Sequence, residues 1–190
     1  MYVTYTIDEG GWGTTMKPRQ FVIEAVMLAV YGQLSVPKRP VEYIIPYTTI
    51  LELYEMRLEG DQVMPDPEED IYAKQQIEEL IAYFENELNK KKIERALTAP
   101  WRHSPPLILQ DNVSCIIVNA MDNARYGETF DPVETELILT AMREQAPLLT
   151  DQFEYVDRLI TNEIPIPIYD IDDFEYALEH EEVPGDSNTK

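Results

Sequence analysis

Four carboxylates fall within six positions near the end of this chain: Asp170, Asp172, Asp173 and Glu175. Oxygen ligands at that density suit Mg²⁺ or Ca²⁺. The EF-hand pattern nevertheless fails, because no glycine stands at its sixth position and the spaced acids do not continue. A helix start explains the same residues, with Asp172 or Asp173 as N-cap and the other acids favoured by the helix dipole. Tyr169, Phe174, Tyr176 and Leu178 interleave an apolar face with these charges. The set Tyr169, Asp170, Asp172, Asp173, Glu175 and Tyr176 is therefore a candidate face for docking on a basic protein surface, and it is not assigned to a metal.

A second candidate is the loop Gly10, Gly11, Trp12, Gly13, with Lys17 and Arg19 close behind it. Glycines between a strand and a helix can cradle an anion on backbone N–H groups. Neither G-x-G-x-x-G nor G-x-x-x-x-G-K-[ST] is present, so the nucleotide fingerprints are missing and a tight turn closed by Trp12 competes with anion contact. A third feature is basic. Lys90, Lys91, Lys92, Arg95 and Arg102 bring five cations into thirteen positions beside Trp101 and His103. In so acidic a chain, pairing with acidic segments such as the C-terminal run is the expected role, ahead of phosphate or single-strand contact.

Other constellations are thin. His103 and His180 have no zinc-ligand spacing. Cys115 lies in an apolar run and reads as a buried small hydrophobe. Glutamate pairs such as Glu52/Glu55 and Glu78/Glu79 lack the Glu-x-x-His partner of a bundle di-iron site, and solvated faces account for them. No catalytic residue and no cofactor is assigned from the sequence.

The elements that must position these residues are mostly helical. Residues 2–7 alternate as a strand does. Pro18 opens a helix expected to run to residue 33, apolar almost all round apart from Glu24 and so the buried central one. Residues 41–45 read as a short strand stopped by Pro46, and 48–58 as a helix ending at Gly60. The longest helical signal covers 68–97, with a break near Asn89 where the apolar phase slips. Residues 111–126 admit two readings: Val113–Val118 is locally strand-like, but Asp111 and Gly127 frame a helix, and the helix is preferred. Asp131-Pro132-Val133-Glu134 offers N-cap, N1 proline and N3 acid, so a helix over 132–145 follows. Thr150 caps another through 161; the prolines of 164–168 forbid a central strand; a last short helix covers 172–181. The sum is a helix-dominated α+β fold of six or seven helices with a minor strand component, a single compact domain over residues 1–182 and a flexible acidic tail over 183–190.

Charge sets the partner class. Of the 190 residues 36 are acidic and 15 basic, a net charge of −21, while 44% are hydrophobic. Such a surface repels polynucleotides and anionic membranes, and the apolar content is too high for a disordered acidic chain. No apolar stretch approaches the roughly twenty residues of a membrane span, and the N-terminus lacks a basic region ahead of an apolar core, so a cytoplasmic protein is expected. The expected function is a small acidic interaction or regulatory protein that docks on a basic protein surface. Two alternatives stand beside it: a metal- or nucleotide-dependent hydrolase with an atypical carboxylate site, and a nucleic-acid mimic. A homodimer is compatible with the long amphipathic helix.

Overall fold

The structure, a computed structural model, describes residues 17–121 and 126–180. Within them the chain is a helix-dominated α+β fold of seven α-helices and a six-stranded mixed sheet. In chain order the elements are β1 (Arg19–Val22), α1 (Met27–Val30), a 3-10 turn (Gly32–Ser35), β2 (Val41–Pro46), α2 (Tyr47–Glu59), α3 (Pro67–Glu85), α4 (Glu87–Ala96), β3 (Leu107–Gln110) and β4 (Val113–Val118). They continue through α5 (Pro132–Glu144), β5 (Leu148–Leu149), α6 (Phe153–Thr161), β6 (Ile168–Tyr169) and α7 (Ile171–Glu179).

The sheet order is β3-β4-β2-β1-β5-β6, and every neighbouring pair is parallel except the antiparallel edge β3–β4. Alternation along the strands serves two cores. Val22, Ile44, Ile116 and Leu148 are in register and point to one face, where Leu137, Ile138 and Ala141 of α5 and Tyr155 and Leu159 of α6 cover them. Phe21, Tyr43, Cys115, Ile117 and Leu149 point to the other face, under α1, α2, α3, α4 and α7. Strands buried on both faces read as unbroken apolar runs, with no alternation to betray them.

That property reverses two expectations. Residues 18–33 do not form one central helix: Arg19–Val22 is a strand, followed by the single turn α1 and a 3-10 turn. Residues 111–126 do not form a helix either, since Val113–Val118 pairs with β2 along its whole length. In both places a short run apolar on all sides satisfies a buried helix and a buried strand equally by periodicity, and β-branched Val113, Ile116, Ile117 and Val118 favour the strand.

Elsewhere local signals hold. Asp131 Oδ1 accepts from Glu134 N at 2.8 Å and Glu134 Oε2 accepts from Asp131 N at 3.1 Å, the expected capping box of α5. The long helical signal breaks at Asn86, which accepts from Leu88 N and starts α4, three residues before the expected break. Gly60 closes α2 in the left-handed region at φ 68°, a conformation that favours glycine. Thr150 does not cap α6; Gln152 holds that position, and Thr150 Oγ1 accepts from Gln152 N at 3.3 Å. The prolines of 164–168 precede the edge strand β6, as a missing N–H requires. Among the described residues no helix is long and apolar enough to cross a membrane. The expected strand over 2–7 and the acidic tail lie outside the described residues.

Candidate functional site

The parallel strands run outward from β1 in two directions: β2 and then β4 on one side, β5 and then β6 on the other. The strand order therefore reverses between β1 and β5, and the carboxyl ends of the strands at such a reversal form the crevice where open α/β sheets bind ligands.

The residues at that crevice are acidic. Glu24 lies two residues past the end of β1 and is only 7% exposed. Its loop is tied to the start of α2, because Ala25 N donates to Thr49 Oγ1 at 3.1 Å and that hydroxyl donates to Pro46 O at 2.9 Å. From the loop after β5, Gln152 Nε2 donates to both oxygens of Glu24, at 2.9 and 3.1 Å. Asp151 precedes Gln152 and accepts a hydrogen bond from the Tyr31 hydroxyl. Glu52 comes from α2 and Asp131 from the N-cap of α5. Glu136, also buried, accepts from Thr48 Oγ1. Glu134 is ion-paired with Arg158, and Tyr155 Oη donates to its carbonyl at 2.9 Å.

Burial, and then the negative charges of Glu52, Asp151, Asp131 and Glu134, push the Glu24 carboxyl up to about 8. Burial, Asp131, Glu55 and Glu136 push Glu52 up to about 7. A carboxyl withdrawn from water and faced by like charges holds its proton. Among the described residues no cation is ion-paired with Glu24, Glu52, Asp131 or Asp151. The four carboxylates interact without closing on one point: no three Asp, Glu, His or Cys side chains among the described residues are gathered as ligands of a single ion.

The sequence makes this crevice, at the crest of the sheet, only partly visible. In the sequence Glu24 is only the interruption of an apolar run, Glu52 part of a solvated pair, and Asp131 a helix cap. Asp151 carries no signal beyond standing two residues after the apolar Leu148-Leu149. The usable clue is one acid placed two residues past the end of each of two apolar strands.

The anticipated residues sit elsewhere. Asp170 is the N-cap of α7: its Oδ1 accepts from Asp173 N at 2.8 Å, and Asp173 Oδ2 accepts from Asp170 N at 3.3 Å. Asp172, Glu175 and Tyr176 are exposed, Tyr176 stacking on His180. Tyr169 lies in β6, edge-on to Phe21 at 5.8 Å. Arg19 ties these elements together, donating to Ala177 O at 2.8 Å and to the Tyr169 hydroxyl at 3.2 Å, at the opposite end of β1 from Glu24. Lys17 is exposed beside it, and Gly10, Gly11, Trp12 and Gly13 lie outside the described residues.

The basic stretch works locally. Lys92 Nζ donates to Pro106 O at 2.8 Å and Arg102 to Thr98 Oγ1 at 2.8 Å, while the ion pair made by α7 is Lys38–Glu179. His103 pairs with Glu144 at 2.9 Å, and Arg143 lies over Trp101. No protein-family model matches the sequence, and no curated protein matches it either.

Proposed function

We propose that the protein is a divalent-cation-dependent hydrolase of phosphate esters, acting at the crest of the sheet. One observation carries this reading: Glu24, Glu52, Asp131 and Asp151 reach the same crevice from four separate elements, at the reversal of strand order, with no basic side chain among the described residues ion-paired to them.

Glu24 and Glu52, raised by burial and then by the neighbouring negative charges, are ready to exchange a proton for a metal ion. No three of these carboxylates are gathered round one point, so Mg²⁺ or Mn²⁺ would be held by one or two of them, keep several waters, and supply charge to phosphate oxygens. The chain's own residues do the positioning. Gln152 holds both oxygens of Glu24, and Tyr31 holds Asp151. The N-terminal turns of α2 and α5 begin beside the crest and favour an anion there. In the reaction, water oxygen bonds to phosphorus, the P–O bond to the alcohol breaks, and the alcohol leaves with a proton.

Thermal unfolding with and without MnCl₂, alongside release of nitrophenol from bis(4-nitrophenyl) phosphate, tests the reading. Mn²⁺ should raise the Tm, more at pH 8 than at pH 6, and support turnover. Both effects should vanish in Asp131→Asn, which keeps a capping side chain on α5. A Tm indifferent to Mn²⁺ and Mg²⁺ at both pH values, with no turnover, refutes it.

A further inference from the structure

Beside the crest lies a groove of about 390 Å³ between α1 and the segment that joins α2 to α3. Val26, Met27, Val30, Met56, Val63 and Met64 give it an apolar lining, while Glu59, Asp61 and Asp151 bring carboxylates to it. No Lys, Arg or His lines it among the described residues.

The wall is built. Asp70 Oδ1 accepts from Val63 N and from Met64 N, and Gln62 Nε2 donates to Met64 O at 2.7 Å and Pro65 O at 3.0 Å. Lys74, ion-paired with Asp70, donates to Gly60 O at 3.1 Å, so α3 fastens the segment at both ends. Within this fixed frame three methionines offer a polarizable, adaptable floor. Asp151 belongs to groove and crest alike, and Tyr31 lines the groove while donating to it.

We infer that this groove is the docking site for a short basic amphipathic segment of a partner protein. Apolar side chains of that segment enter among the methionines, and its Lys or Arg residues meet Glu59, Asp61 and Asp151. The acidic rim and the net charge of −21 argue for this occupant, since an anionic or neutral apolar ligand would leave three carboxylates unmatched. On this inference the interaction that the charge implies falls on the methionine groove. The inference is independent of the hydrolytic reading, because docking requires neither cation nor turnover. It does place the occupant's cationic end over Asp151, beside Glu24.

The test is an amide-resolved NMR titration of the metal-free protein with a synthetic peptide of leucine and lysine at amphipathic helical spacing. A leucine–glutamate peptide of the same pattern serves as control. Shifts centred on Met27, Tyr31, Met56 and Val63 with the lysine peptide alone support the inference. The exposed double variant Glu59→Lys/Asp61→Lys should then bind about tenfold more weakly with its spectrum otherwise intact. Shifts centred on Asp170–Glu179, equal shifts with both peptides, no shifts, or a groove already covered by a second copy of this chain would each overturn it.

Discussion

Replacing Glu24 by glutamine should make the protein more stable at high pH, although it removes a buried, hydrogen-bonded side chain. The carboxyl is only 7% exposed, titrates near 8 in the folded chain, and has a usual value of 4.5. Between those values the folded state holds a proton that the unfolded chain has released. The wild type therefore loses stability as pH rises, by ~1.4 kcal/mol per pH unit. The contribution is fully present below about pH 4.5 and has gone once pH passes 8. Integrated over that window the loss is roughly 4–5 kcal/mol as an upper limit, since water reaching the crest would reduce it.

Glutamine carries no ionised form to bury, and its carbonyl can still accept from Gln152, so the variant escapes most of this loss. Urea unfolding of both proteins without divalent ions, at pH 5, 6, 7, 8 and 9, measures the difference directly. Comparing the two proteins cancels the titrating groups that do not interact with Glu24. The variant should be level with or slightly less stable than wild type at pH 5 and ahead by roughly 2–4 kcal/mol at pH 8 to 9. A difference that stays flat with pH, or a variant that falls further behind as pH rises, refutes the placement of Glu24 as a buried acid among like charges. Mn²⁺ should narrow the gap by stabilising the wild type alone.

Two further expectations concern the fold away from the crest. Asp170→Ala removes the cap of α7 and should cost roughly 1 kcal/mol in urea unfolding with an unchanged m-value, because Phe174 and Leu178 still anchor the helix; an unchanged midpoint would mean that the capping box does not form. Cys115 is fully buried in β4 and burial pushes its thiol well up, so a thiol reagent at pH 8 should label it only at the rate of unfolding; rapid labelling of the native protein would contradict the position of β4 in the core.

How much of this could be read from the chain depended on whether a signal was local. The capping box at Asp131 and Glu134, the glycine stop at Gly60 and the N-terminal acids of α3 each act within a turn, and each appears where the residues indicate. Strands β1 and β4 were hidden because burial on both faces removes the alternation that marks a strand; Phe21 and Val22 are both fully buried although they point to opposite cores. The crest was hidden for a different reason. Glu24, Glu52, Asp131 and Asp151 share no spacing, and only the strand order brings them together. The conspicuous acids of residues 170–175 were legible because they are adjacent, and two of them turn out to cap the helix they start.

The same contrast bears on what the charge of the chain means. Acids on a solvated face cost little and report mainly on solubility and long-range attraction. At 7% exposure, Glu24 loses hydration whenever it ionises, and its neighbours Glu52, Asp131 and Asp151 make that worse. An arrangement that opposes its own stability is expected where a site must be ready for something absent from the bare chain. A divalent ion at the crest and a cationic side chain at the end of the methionine groove would relieve the same repulsion, because Asp151 is common to both. Occupancy of the groove by a basic segment should therefore weaken Mn²⁺ binding at the crest, and Mn²⁺ should weaken the segment by the same factor.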